Sequence, residues 1–147
     1  MAIRNIVLYG DDILRKKSRE VEKFDERLHQ LLDDMAETMY KNEGAGLAAV
    51  QIGILKRVIT IDDGHGLIEL VNPVILETSG MQNGPEGCLS VPGKFVDIKR
   101  PYKVKVRAFD RHGNPFIMEG TELLARAFCH EIDHLDGKLY VDLIEKQ

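Results

Sequence analysis

Two histidines four residues apart, with a glutamate directly after the first, are the residues best placed to do chemistry: His130-Glu131-Ile132-Asp133-His134. On a helix advancing about 100° per residue, positions four apart lie roughly 40° from each other on one face. Both imidazoles can therefore reach one metal ion, with the Glu131 carboxylate beside it. H-E-x-x-H on a helix is a signature of metal-dependent hydrolases, the glutamate acting as general base toward an activated water. Taken alone, the motif also fits two histidines on an ordinary amphipathic helix.

The flanking residues supply that helix. Thr121 reads as the N-cap, Glu122 suits the positive end of the helix dipole, and Gly137 suits a left-handed stop. Leu124, Phe128, Ile132 and Leu135 recur at helical spacing and form the stripe to be buried.

A catalytic metal site commonly has three protein ligands and one open position. Too little chain follows His134 for a helix to form and return, so the third ligand is expected upstream. Cys88 is the best candidate, because Gly84-Pro85-Glu86-Gly87-Cys88-Leu89-Ser90-Val91-Pro92-Gly93 reads as a shaped loop able to aim a thiolate. Cys129 lies about 100° around the helix from His130 and about 140° from His134, so it cannot readily share their ion. It reads instead as a small buried apolar residue.

The remaining composition narrows the class. With 147 residues, 44% hydrophobic and 30% charged, the chain fits one globular domain, taken as 1–147. A net charge of −4 argues against direct nucleic-acid binding as the main function. No apolar run approaches a membrane span, and Met1-Ala2-Ile3-Arg4-Asn5 does not read as a secretory leader. Two cysteines give no disulfide framework, so a cytoplasmic protein is expected.

Along the chain, residues 3–9 read as a short extended or turn-like segment, and 15–20 as a solvated connection. Residues 25–42 carry a helical stripe of Leu28, Leu31, Leu32, Met35, Ala36 and Met39, with Asp25 as N-cap. Gly44-Ala45-Gly46-Leu47-Ala48-Ala49-Val50-Gln51 suggests a backbone that something approaches closely. It lacks the third glycine of a dinucleotide fingerprint and the ending of a phosphate loop, and a tight packing turn would read the same way. Strands are expected at 57–62, at 67–72 continuing to 77, at 102–109 and at 116–119, with His65 and His112 in exposed turns. Helix, antiparallel strands, then helix gives an α+β class, with antiparallel β-sheets packed around the C-terminal metal-binding helix.

Three segments together resemble the signature motifs of the bacterial-type peptide deformylases: Gly44 to Gln51, Glu86-Gly87-Cys88-Leu89-Ser90, and His130 to His134. They stand in the family's order and span most of the chain, and Gly10-Asp11-Asp12-Ile13-Leu14-Arg15 is similar to the family's opening segment. Cys129 departs from the glutamine many members carry, and Phe95 from the basic residue some carry. The resemblance implies removal of the N-formyl group from formyl-methionine on nascent polypeptides, with release of formate. It implies Cys88, His130 and His134 as metal ligands, Glu131 as base, and the Gln51 side chain and Leu89 backbone N–H as oxyanion donors. It further implies that Gly44, Ala45 and Gly46 receive the substrate backbone, and that Phe95, Leu123, Arg126 and Ala127 lie around the methionine side chain. Glu86 and Asp133 are candidates to support the ligands. The implied cofactor is one divalent ion, Fe2+ physiologically, with Zn2+, Ni2+ or Co2+ able to substitute. Transient ribosome association belongs to the same set of expectations, although the chain ends without the longer extension some members possess. An H-E-x-x-H metallopeptidase and a non-catalytic metal-binding module of the same fold remain the alternatives.

Overall fold

The computed structural model describes residues 2–146. After a 3-10 turn at Asp12–Arg15 comes the first α-helix, α1, Glu26–Lys41, with the Asp25 carboxylate accepting from the Leu28 amide at 3.2 Å. Its expected stripe is buried, and Asp34 and Thr38 are buried with it. Strand β1, Gly46–Ala48, follows and leads into a 3-10 turn, Ala49–Ile52, that closes on Gly53 in the left-handed region. The segment read as a site of close approach, or alternatively as a packing turn, therefore holds a short strand and a 3-10 turn.

Strands β2 (Val58–Ile61), β3 (Ile68–Ser79), β6 (Lys103–Phe109) and β7 (Pro115–Thr121) join β1 in one antiparallel sheet, ordered β1-β2-β3-β6-β7. In β6 the inward Val104, Val106 and Ala108 alternate with Lys103, Lys105 and Arg107, as a sheet with one wet face requires. Strand β2 is buried at every position. Its Val58 joins the core under α1, whereas Ile59 and Ile61 join the core under the last helix. This end of the sheet is thus covered on both faces, which explains an uninterrupted apolar run where alternation would otherwise be expected.

That last helix, α2, spans Leu123–Leu135 and is buried on most of its circumference. Its start differs from expectation. Thr121 ends β7, and the N-cap is Glu122, at φ 55° with no side-chain cap. Main-chain bonds hold that strained residue in place: its amide donates to Tyr102 O at 3.0 Å, and its carbonyl accepts from Gln82 Nε2 at 2.8 Å. Tertiary bonding replaces local capping here. At the other end Gly137 adopts φ +75° and backs directly onto the Arg15 carbonyl, leaving no room for a Cβ.

The stretch read as a shaped loop is a hairpin. Strands β4 (Gln82–Cys88) and β5 (Val91–Arg100) form a separate two-stranded sheet with a register shift between Glu86 and Cys88. Glycine and proline within β4 hid the strand pattern, and such residues are tolerated where pairing is irregular. Cys88 therefore leaves the end of a strand, and Leu89 and Ser90 form the turn.

Candidate metal centre

Helix α2 presents His130 and His134 to the end of β4, and three donor atoms meet. Cys88 Sγ lies 3.3 Å from His134 Nε2, and His134 Nε2 lies 3.2 Å from His130 Nε2. All three fall within 4.8 Å of one another, the one such group among the described residues. Ligands about 2.1–2.3 Å from one tetrahedral ion stand roughly 3.4 Å apart, so the spacing fits a shared cation. One soft thiolate and two imidazoles are a donor set suited to zinc or ferrous iron. Burial opposes charge on His130, but Glu131, Cys88 and Glu86 hold its pKa well above normal. Burial and the neighbouring His130 push His134 down.

Cys129, although adjacent to His130 in sequence, is absent from the cluster. Burial pushes its thiol up to about 11, so it stays protonated and packs as an apolar group.

Glu131 is buried beside the cluster, with Oε2 4.0 Å from His130 Nε2 and Oε1 without a hydrogen-bond partner among the described residues. Burial pushes its carboxyl up to about 7. An unpartnered buried carboxylate oxygen beside a ligand cluster is the arrangement a general base requires. The glycines of the first motif explain how it fits: a Cβ on Gly46 would stand 2.6 Å from Glu131 Oε2, and one on Gly44 2.7 Å from Leu89 Cδ1. The close approach anticipated at these glycines is made by the protein's own side chains.

Gln51 is buried at the foot of the 3-10 turn. Its Oε1 accepts from the Ala48 amide at 3.0 Å, which turns Nε2 toward Ser90 Oγ at 3.1 Å and Cys88 Sγ at 3.5 Å. Behind His130 stands Glu86, whose Oε2 is 2.7 Å from His130 Nδ1. Arg100 donates to both Glu86 oxygens at 3.0 and 2.6 Å, and Arg126 Nη1 donates to Oε1 at 2.8 Å. Burial would raise the Glu86 pKa, but His130 and Arg100 outweigh it and keep the carboxylate ionised far below its usual range. Among the described residues Asp133 makes no hydrogen bond to a histidine. It accepts from Arg100 Nη1 at 2.9 Å and so acts on the site through that arginine.

Sequence reasoning missed Arg100 and Tyr140. The arginine ends a charged strand and looks solvated, yet it is buried. Tyr140 packs its ring 5.8 Å from that of His130 and donates to Lys94 O at 2.8 Å. No local pattern marks either residue.

Above the cluster opens a cleft of about 650 Å³, bordered by Gly44, Gly46, Leu89, Leu123, Ala127 and Phe95. Ala127 is buried within it, whereas Leu123 and Phe95 stand at the rim, Phe95 73% exposed with its ring against Gly87. Arg126 borders the cleft too, but its guanidinium is engaged by Glu86 and by Ile98 O at 2.9 Å.

Residues 3–147 match the profile of the family described as polypeptide deformylase. The chain belongs to the peptide deformylase family. A peptide deformylase from Caldicellulosiruptor bescii is 60% identical over 98% of this chain and 87% of its own length. One from Alkaliphilus metalliredigens is 58% identical over the full length of both. Among solved structures, the Thermotoga maritima peptide deformylase superposes with a TM-score of 0.95 at 41% identity, covering 97% of this chain and 98% of its own. Peptide deformylases are metallohydrolases that remove the formyl group from formyl-methionine at the N-terminus of nascent polypeptides and release formate. That is the activity of this chain. The α+β fold with its C-terminal helix is the deformylase fold. Membership replaces the metallopeptidase and binding-module alternatives.

Proposed function

We propose that Cys88, His130 and His134 hold one divalent cation and that Glu131 is the general base of deformylation. The observation that carries this reading is the meeting of three donor atoms beside a buried Glu131 carboxylate, its Oε1 without a partner among the described residues, at the edge of the cleft. The cation, Fe2+ in the physiological enzyme with Zn2+, Ni2+ or Co2+ as substitutes, supplies Lewis-acid polarisation and makes a water easier to deprotonate.

The chain's residues then divide the work. Glu131 takes the proton of the water that attacks the formyl carbon, and returns it to the amine nitrogen as the C–N bond breaks. As the carbonyl carbon becomes tetrahedral, its oxygen gains charge, and the Gln51 side chain and Leu89 N–H donate to it. The bond that Gln51 Oε1 accepts from the Ala48 amide supports this role, because it fixes which end of the side-chain amide faces the site. Glu86 orients His130 through Nδ1, with Arg100 and Arg126 neutralising the buried carboxylate. The backbone of Gly44, Ala45 and Gly46 receives the substrate chain as an added strand. Ala127 and Leu123 line the methionine side chain, Arg126 closing its far end and Phe95 its mouth. The domain is taken as 1–147 and the compartment as cytoplasm, with transient ribosome association. Among the described residues no helix is long and apolar enough to cross a membrane.

Protein prepared anaerobically and loaded with Fe2+ is expected to release formate from a formyl-methionyl tripeptide faster than the Zn2+ form, and to leave the acetyl analogue nearly untouched. Equal rates with both ions would contradict the choice of iron, and rapid acetyl cleavage would contradict selectivity for the formyl group. Gly46→Ala is expected to retain metal but lose about 10- to 100-fold in kcat, because the new methyl must displace Glu131 Oε2 from 2.6 Å. Wild-type turnover in that variant would mean that Glu131 is not acting from its present position.

A further inference from the structure

The two proposed oxyanion donors belong to separate parts of the fold. Gln51 sits on the 3-10 turn that follows β1, whereas Leu89 sits in the turn of the β4–β5 hairpin, which shares no strand pairing with the main sheet. Gln51 Nε2 reaches Ser90 Oγ at 3.1 Å, a side-chain link, and a main-chain link between the two parts adds to it. Segment 2–9 supplies that second link. The Val7 amide donates to Gln51 O at 2.7 Å, and the Tyr9 amide donates to Ser90 O, next to Leu89, at 2.8 Å. Two amides two residues apart on one short segment are thus bonded to a carbonyl in each part.

The other end of the segment is tied to α1. The Arg4 amide donates to Thr38 Oγ1 at 2.9 Å, and its guanidinium grips Asp34 Oδ2 through Nε at 3.0 Å and Nη2 at 2.7 Å. Asp34 Oδ1 accepts from the Ala2 amide and from Gln30 Nε2, each at 2.7 Å. Asp34 is only 2% exposed, is a charged residue in the buried stripe of a helix, and has no part in the chemistry above. Burying a carboxylate is costly unless it is paired, and here segment 2–9 supplies the Arg4 guanidinium and the Ala2 amide that pair it. Ile6 packs against the core under α1 and Val7 against the core under α2, so the segment is wedged as well as bonded.

We infer that segment 2–9, anchored through Arg4 on Asp34, is a positioning strap that sets the spacing between the Gln51 and Leu89 donors. Arg4, Asp34, Val7 and Tyr9 are positioning residues, not catalytic ones. The inference rests on the reading of Gln51 and Leu89 as oxyanion donors.

The test compares wild type, Arg4→Ala, Arg4→Lys, Asp34→Asn and Gln51→Ala, all metal-loaded, by hydrogen exchange at the Val7 and Tyr9 amides, metal content, kcat and KM. Releasing the strap is expected to speed exchange at both amides and lower kcat about 10- to 100-fold, with KM and metal content unchanged. Arg4→Lys should fall between Arg4→Ala and wild type, since it keeps the charge and loses the fork. Arg4 is partly exposed, so Arg4→Ala carries the test if Asp34→Asn does not fold. Fast exchange with wild-type kcat would overturn the strap, as would a loss of kcat that merely follows loss of metal. Unchanged exchange in Arg4→Ala would overturn the anchor. If Gln51→Ala alone lowers kcat, a negative strap result leaves the donor reading intact. If Gln51→Ala turns over normally, the donor reading fails and the strap with it.

Discussion

Glu131→Gln is expected to bind its metal ion normally and to lose about 10²- to 10⁴-fold in kcat for formate release, the range associated with a positioned general base. The substitution is nearly isosteric, so Gly46 still accommodates it and the three donor atoms are undisturbed. What disappears is the ability to accept a proton from water and hand it to the amine. KM should change little, because an interaction made only in the transition state lowers kcat and kcat/KM together. The check is steady-state formate release alongside metal content from the same preparation. Loss of the ion from this variant would make Glu131 a ligand, and wild-type kcat would remove it from the mechanism.

Cys88→Ala is expected to show the second large effect. Loss of a residue that merely supports a ligand typically costs 10- to 100-fold in metal affinity or activity, and loss of a ligand itself should exceed that. A cysteine ligates metal as its thiolate, so Cys88 would be the one anionic donor of the set, and the two imidazoles that remain are a poor site for a divalent ion. Cys129→Ala provides the comparison, since that thiol is buried, neutral and outside the cluster, and should keep its metal. Metal content after exhaustive dialysis, read beside formate release, decides the matter. Stoichiometric metal and full turnover in Cys88→Ala would contradict the ligand set.

Much of this organisation was legible in the sequence because it is locally encoded. The α1 stripe and its Asp25 cap were readable from spacing alone, and the cap bond forms as expected. The placement of His130 and His134 on one face follows from helix geometry, as does the displacement of Cys129 to another. What escaped is encoded in distant contacts. The β4–β5 hairpin carries Gly84, Pro85 and Gly87 where a strand signal would need β-branched residues, so it read as a loop. The start of α2 was misplaced at Thr121 because Glu122 is held at positive φ by Tyr102 and Gln82, not by a local cap. Arg100 and Asp34 look like surface charges until the fold buries each against its partner. The glycines of the first motif were rightly read as sites of close approach, but only the fold reveals that Glu131 and Leu89 make it.

One cation is expected among Cys88, His130 and His134. Anomalous diffraction at the absorption edge of the loaded metal, from crystals of the active protein, locates it. A single peak is expected within bonding distance of Cys88 Sγ, His130 Nε2 and His134 Nε2, with Glu131 beside it and not bonded to it. A peak elsewhere, or full activity in crystals whose anomalous map is empty at that point, would contradict it.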